Sequence, residues 1–307
     1  MDNNKIKSDE NTKMILPEKR RKKSKSSHSN NIKKGNFVHV QQYDDSQFHI
    51  AIRQIDVVAK QILGSRKSQQ DMYAVSNSVV DLESEDSIAW AVVCDGMGGM
   101  ASGELASQMT SEVMSQVLKN VLPTDSIQDV LTQAVNIANE EVKKISLQQS
   151  VLTGTTLVCV VIKNDEMYYS SVGDSRIYIF RNNEFLQITR DHNYMLELME
   201  MVKVGEITVE DAAEDPQKEA LISFIGIDPL KLVDINEKPL VLQNNDIILL
   251  CSDGLTKILN DDEICEIIKE NINTPSEIVD VLLREVQMGQ LKNLDNTTIA
   301  VMKYYKN

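Results

Sequence analysis

Five times in this 307-residue chain an apolar run meets an aspartate at its boundary. Ala89-Trp90-Ala91-Val92-Val93-Cys94 runs into Asp95-Gly96, the run 247–251 into Ser252-Asp253-Gly254, and the run 167–172 into Gly173-Asp174. Asp295-Asn296 stands immediately before the run 297–304, and Asp71 before the run 72–80. A carboxylate at the mouth of a buried strand is costly unless its charge is compensated, and four or five converging ones would repel and protonate without a cation. Hard divalent ions such as Mg²⁺ and Mn²⁺ take oxygen ligands, so the pattern points to an Mg²⁺ or Mn²⁺ centre. Glycine after Asp95 and after Asp253 fits, because it lets the backbone turn sharply and lets a carbonyl approach an ion.

The rest of the pattern sets the fold class. Short β-like runs recur at 72–80, 88–94, 155–163, 167–172, 176–181, 247–251 and 297–304. Turn-prone joints at 163–166, 173–175 and 182–183 are expected to link antiparallel neighbours. Between the second and third runs lie two helical patterns instead of a strand. Leu105, Met109, Val113, Val117 and Val121 recur every four residues, and Ile127, Leu131, Val135, Ala138, Val142 and Ile145 follow at mixed three- and four-residue spacing. Pro123 separates the two, and Asp125 and Ser126 are available to cap the second. Further helix is expected over about 194–213 and 276–288. Antiparallel strands plus a helix pair imply an α+β layered domain, not an alternating βαβ one.

The formal net charge of -14 conceals an asymmetry. Residues 1–43 hold 11 Lys/Arg against 4 Asp/Glu, leaving 21 against 42 in the remainder. Residues 1–45, with Lys19-Arg20-Arg21-Lys22-Lys23-Ser24-Lys25, are expected to be a disordered basic tail, and 46–307 the folded domain. The tail's partner is unknown: nucleic acid, anionic lipid, an import receptor and the acidic body itself all suit its charge. The body is too negative to favour nucleic acid. No apolar stretch approaches the roughly 18 to 20 residues of a membrane span, which implies a cytoplasmic protein. Cys94, Cys159, Cys251 and Cys265 form no C-x-x-C pair and no C-x5-R thiolate motif, and are expected to be buried small hydrophobes.

In order along the chain stand Gly64-Ser65-Arg66-Lys67-Ser68-Gln69-Gln70-Asp71, Asp95-Gly96-Met97-Gly98-Gly99, Gly154-Thr155-Thr156, Val172-Gly173-Asp174-Ser175-Arg176, Asp191-His192, Ser252-Asp253-Gly254-Leu255 and Asp295-Asn296-Thr297-Thr298. Together, over about 52–302, these resemble the metal-dependent protein Ser/Thr phosphatases, the protein phosphatase 2C (PPM) family in its bacterial style. The resemblance implies a four-layer α-β-β-α sandwich, two antiparallel sheets flanked by helix pairs, holding two Mn²⁺ or Mg²⁺ ions. Asp95 would bridge them, the Gly96 carbonyl would complete the first, and Asp253 and Asp295 would hold the second. Asp71 would anchor water behind these ligands, Asp174 would bind a third, weaker ion, and Arg66 would bind the substrate phosphate. A flap over about 195–227 would lie beside the site. The implied reaction is hydrolysis of phosphoserine and phosphothreonine on substrates of a Ser/Thr kinase, by water that the two ions acidify.

The chain departs from the wider family at Met97, where many members have a histidine proposed as general acid. It departs also at Gln70, in place of a glutamate, and at Lys257, where an acidic partner of the third ion is common. His192 reads as a structural hydrogen-bonder. Gly96-Met97-Gly98-Gly99-Met100-Ala101 formally fits a dinucleotide fingerprint, but the chain continues with a second helix instead of a parallel strand ending in an acid. The remaining alternative is a weakly catalytic pseudophosphatase serving as a binding module. Retention of Asp95, Asp253, Asp295 and Arg66 argues for the enzyme.

Overall fold

Strands that are apolar at every position must be covered on both faces, and this requirement generates the layers. The computed structural model describes residues 53–77, 79–83, 87–98, 100–122, 124–289 and 293–306. The expected basic tail lies outside them. The chain runs through β1 Arg53–Ile62, β2 Asp71–Val75, β3 Val79–Asp81, β4 Ile88–Met97, α1 Met100–Leu118, α2 Ile127–Gln149, β5 Gly154–Thr155, β6 Leu157–Lys163, β7 Glu166–Val172 and β8 Arg176–Arg181. It continues with β9 Glu184–Gln187, α3 Tyr194–Lys203, α4 Val209–Glu214, β10 Asp234–Ile235, β11 Leu240–Val241 and β12 Ile247–Cys251. The last elements are α5 Asp253–Thr256, α6 Asp261–Glu270, α7 Pro275–Met288 and β13 Thr297–Lys306.

Two antiparallel sheets result. One has the order β3-β1-β13-β12-β8-β9; the other has β10-β7-β6-β4-β2, with β11 on β7 and β5 on β4. Alternation along β4 shows how the layers form. Ala89, Ala91 and Val93 face the core between the sheets, with Val158, Ile177, Ile248 and Met302. Trp90, Val92 and Cys94 face the other way, onto Met114 and Leu118 of α1 and Leu131, Val135 and Val142 of α2. Across the first sheet, Leu249, Cys251 and Val301 pack against Ile264 and Ile268 of α6 and Leu282 and Val286 of α7. The result is the expected α-β-β-α sandwich, in which each buried aliphatic side chain contributes about 1.5–3 kcal/mol. The four cysteines are buried and free, as expected.

Several local expectations change. The run 72–80 is two strands in different sheets, β2 and β3, instead of one. β1 was not among the expected runs, because Gln54, Asp56, Lys60 and Gln61 interrupt its apolar positions; its ten-residue ladder with β13 supplies the order that the sequence lacks. The helix expected over 194–213 breaks into α3 and α4 at Val204-Gly205, where Gly205 takes φ +79°. On α1 the four-residue apolar stripe flanks the most deeply buried face: Met109, Val113 and Val117 are half-buried and pack against the core. Leu105 is 42% exposed, and Ser102, Ala106, Ser107, Thr110, Ser111 and Met114 are buried. Small side chains on that face let the helix lie close to β4. Ser126 is the residue that caps α2, its hydroxyl accepting from the Asp129 amide.

Two of the three tight joints are hairpins, at Asn164 and at Asn182-Asn183, all three residues with positive φ. The third, 173–175, instead carries the chain from β7 in one sheet to β8 in the other. Gly173, at φ +100°, makes that reversal possible and leaves Asp174 at the rim between the sheets.

One buried ion pair ties the sandwich at its opposite end. Asp246, 1% exposed, accepts from Arg181 Nε at 2.9 Å, from Arg181 Nη2 and from the Gln243 amide at 2.7 Å. Asp246→Ala leaves a guanidinium and an amide without their acceptor, and a urea melt is expected to show a loss of about 2–3 kcal/mol.

Candidate active site

The site forms at the rim where β2 and β4 of one sheet meet β12 and β13 of the other. Asp71 opens β2 and stands directly opposite Asp95 on β4. Two like charges on a cross-strand pair destabilise a sheet unless something neutralises them. Asp71 is 1% exposed and is pinned from the opposite sheet, its Oδ2 accepting from Ser252 Oγ at 2.7 Å and from Thr298 Oγ1 at 2.8 Å. The Thr298 amide in turn donates to Ser252 Oγ at 2.9 Å.

The Gly154-Thr155-Thr156 motif fixes the backbone of Asp95. Thr156 Oγ1 accepts from the Asp95 amide at 2.9 Å, and the Thr156 amide and Thr155 Oγ1 both donate to the Asp95 carbonyl at 2.9 Å. Thr156 Oγ1 also lies 2.7 Å from Ser175 Oγ, which links the Asp95 strand to the loop carrying Asp174. Glycine serves here through close approach, not the sharp turn expected for it. Neither Gly96 nor Gly254 has positive φ. A Cβ on Gly96 would stand 2.2 Å from the Gly103 carbonyl oxygen, and one on Gly254 would stand 2.1 Å from that of Asn296.

Asp253 begins α5, and its Oδ2 pairs with Lys257 Nζ at 2.5 Å, while its Oδ1 is buried without a hydrogen-bond partner. Asp295 Oδ2 meets Arg66 Nη2 at 2.8 Å and Lys257 Nζ at 3.3 Å. Asn296 braces this corner: its Oδ1 accepts from the Gln70 amide and its Nδ2 donates to the Leu63 carbonyl, both at 2.8 Å. The carboxylates act on one another. Burial pushes Asp95 well above the usual carboxylate range, reinforced by Asp71, Asp253, Asp174 and Asp295. Burial raises Asp71 to about 6 against its two hydroxyl donors, with Asp253 and Asp295 adding to the rise. Asp174 is raised to about 7 by burial, then by Asp253 and Asp191. At Asp295 burial pushes upward too, but Arg66 and Lys257 win and hold it below the usual range.

All five rim aspartates thus share one electrostatic neighbourhood, with Arg66 at its edge. Among the described residues no group of three His, Cys, Asp or Glu side chains is already arranged to hold an ion, and Lys257 and Arg66 lie against the carboxylates instead. The donor set nevertheless fits a hard cation. It is made of oxygens, it includes an orphaned buried carboxylate oxygen on Asp253, and its negative charges drive one another upward.

His192 has the structural place expected. Its Nδ1 accepts from the Gly173 amide at 3.2 Å, and its Nε2 lies 3.1 Å from Asp234, with the ring fully buried. Sequence reasoning gave no role to Ser252, Thr298, Thr156 or Asn296, although all four stand inside the motifs that carried the resemblance. It also missed that Arg176 and Asp191 pair through three hydrogen bonds of 2.7–3.2 Å.

A four-layer α-β-β-α sandwich that delivers aspartates from both sheets to one rim, beside an arginine, defines a class: phosphoester hydrolases of the protein phosphatase type. The sequence profile of protein phosphatase 2C matches residues 63–286, and the chain belongs to that family. It is 33% identical over 226 residues to the serine/threonine phosphatase stp of Listeria monocytogenes serotype 4b, covering 72% of this chain and 86% of that one. The S. agalactiae serine/threonine phosphatase structure superposes with a TM-score of 0.69 at 26% identity, covering 82% of this chain and all of that one. The catalytic domain of the phosphatase PstP, solved with two manganese ions, superposes at 0.63 with 24% identity, covering 82% and 99%.

Proposed function

We propose that this protein removes phosphate from phosphoserine and phosphothreonine side chains of proteins, opposing a Ser/Thr kinase, at a centre built for two Mn²⁺ or Mg²⁺ ions. The observation that carries the reading is the convergence of Asp95, Asp253 and Asp295 from three strand ends onto one rim, with Arg66 bound to the last of them. Asp95 and the Gly96 carbonyl would hold the first ion, Asp95, Asp253 and Asp295 the second, and Asp174 a third, weaker one. When bound, such ions neutralise the carboxylates and acidify a water for in-line attack on phosphorus.

The protein's own groups do the rest. Arg66 is 53% exposed and spends one nitrogen on Asp295, so the remainder of its fork faces outward to bind two phosphoryl oxygens and offset their growing charge. Asp71, locked by Ser252 and Thr298, keeps one orientation behind the ligands and orders the water among them. Met97 has no proton to give, and His192 is sealed between Gly173 and Asp234, so neither protonates the departing serine or threonine oxygen.

The flap over 195–227 governs access in this reading. Its base pairs through Ile225 with Thr155, one of the two threonines that hold the Asp95 backbone, and Asn139 Oδ1 accepts from the Gly226 amide at 2.6 Å. No helix among the described residues is long and apolar enough to cross a membrane.

Stripping metal with chelator is expected to lower hydrolysis of p-nitrophenyl phosphate and of a phosphothreonine peptide at least ~1000-fold, and Mn²⁺ to restore it. No turnover from a folded, Mn²⁺-loaded sample would reassign the chain as a binding module.

A further inference from the structure

Lys257 stands four residues after Asp253, a spacing at which an ordinary helical ion pair forms. Its ammonium does more than that. It lies 2.5 Å from Asp253 Oδ2 and 3.3 Å from Asp295 Oδ2, the latter on a residue 38 positions from the lysine itself. The same Asp295 oxygen already carries Arg66 Nη2 at 2.8 Å. Two cations thus share one carboxylate oxygen, and one of them bridges to a second carboxylate. Asp253 meanwhile has one oxygen on Lys257 and the other buried without a donor. The Lys257 side chain is 45% exposed on a flexible stem, so a path toward water is open to it once its carboxylates are taken.

We propose that Lys257 is a built-in counter-cation for the Asp253–Asp295 pair, which a divalent ion must displace in order to bind there. The inference rests on the two-ion reading above and adds to it that the protein sets its own threshold for loading the second ion. With the ammonium in place the carboxylates stay compensated when metal is scarce. When metal is plentiful, the ion takes the carboxylate oxygens and the lysine turns outward. Arg66 cannot substitute, because it reaches Asp295 alone among the two.

Titrating Mn²⁺ calorimetrically into metal-stripped wild type, Lys257→Met and Lys257→Arg tests this directly. Lys257→Met keeps the aliphatic stem and loses the charge; its weaker Mn²⁺ site is expected to tighten about 10-fold, because a competing cation is gone. Its metal-free melting temperature should fall while its Mn²⁺-loaded one stays near wild type, so the metal-induced rise grows. Lys257→Arg, which retains a cation, should bind Mn²⁺ within about 3-fold of wild type. Unchanged or weaker Mn²⁺ affinity in Lys257→Met overturns the proposal and leaves the lysine as a surface ion pair or a support for the ion. Absence of Mn²⁺ binding in all three folded proteins overturns the two-ion reading as well.

Discussion

Asp253→Asn is expected to lower turnover of p-nitrophenyl phosphate at saturating Mn²⁺ at least ~100-fold while the protein stays folded. The amide has the shape of the carboxylate, so Leu250, Cys251 and Leu255 around it need not move, and the close contact of Gly254 with Asn296 is kept. What disappears is one negative charge and one oxygen acceptor at the point where β12 leaves the core. Asp253 also holds Lys257, which would then rest on Asp295 alone. The melting temperature of the metal-free variant should therefore change little, because removing one of several mutually repelling acids offsets the lost ion pair. A wild-type rate would take Asp253 out of the reacting site; a collapsed fold would mean that its role is structural.

The second large effect concerns a backbone contact. Gly96→Ala puts a methyl 2.2 Å from the Gly103 carbonyl oxygen and 2.5 Å from that of Gln70. Both obstacles are main chain, so no rotamer relieves them; either α1 lifts off the end of β4 or the strand end twists. A urea melt is expected to show a loss of about 3 kcal/mol, at the upper end of overpacking costs, because a helix must shift and not one side chain. Turnover should fall with it, since Asp95 precedes the strained residue and its backbone is held by Thr155 and Thr156. Gly205→Ala provides the contrast. Nothing lies within 4 Å of its added carbon, and its positive φ alone should cost about 1 kcal/mol. Equal melts for the two variants would mean that Gly96 is not closely packed.

Much of this was legible in the sequence wherever a local period or a boundary residue carried it. β6, β8 and β12 read as continuous apolar runs because both of their faces are covered. α2 read as a stripe because one face meets the sheet. The strand-end aspartates were visible because a charge after five buried residues is conspicuous. β1 was not legible, since its alternating polar residues satisfy no local rule strongly and its order comes from β13, far along the chain. The centre of the buried face of α1 was only partly legible for a related reason: Met109, Val113 and Val117 do pack against the core, but at its flank. Apolar spacing chose Leu105, but the sheet beneath required small side chains such as Ser107 and Ala106.

The sequence by itself determined the layered fold class, the strand ends on which the aspartates sit, and the residue set from which a cation site could be made. Only the tertiary structure decided which of those residues touch. Asp71 takes hydroxyls from residues 181 and 227 positions away in the opposite sheet, Gly96 lies against Gly103 at helix-to-strand contact distance, and Lys257 reaches across to Asp295. Periodicity records which way a side chain faces relative to its own backbone. It holds no information on how two sheets slide and twist against each other, and that packing sets the distances at which carboxylates, hydroxyls and ammonium meet.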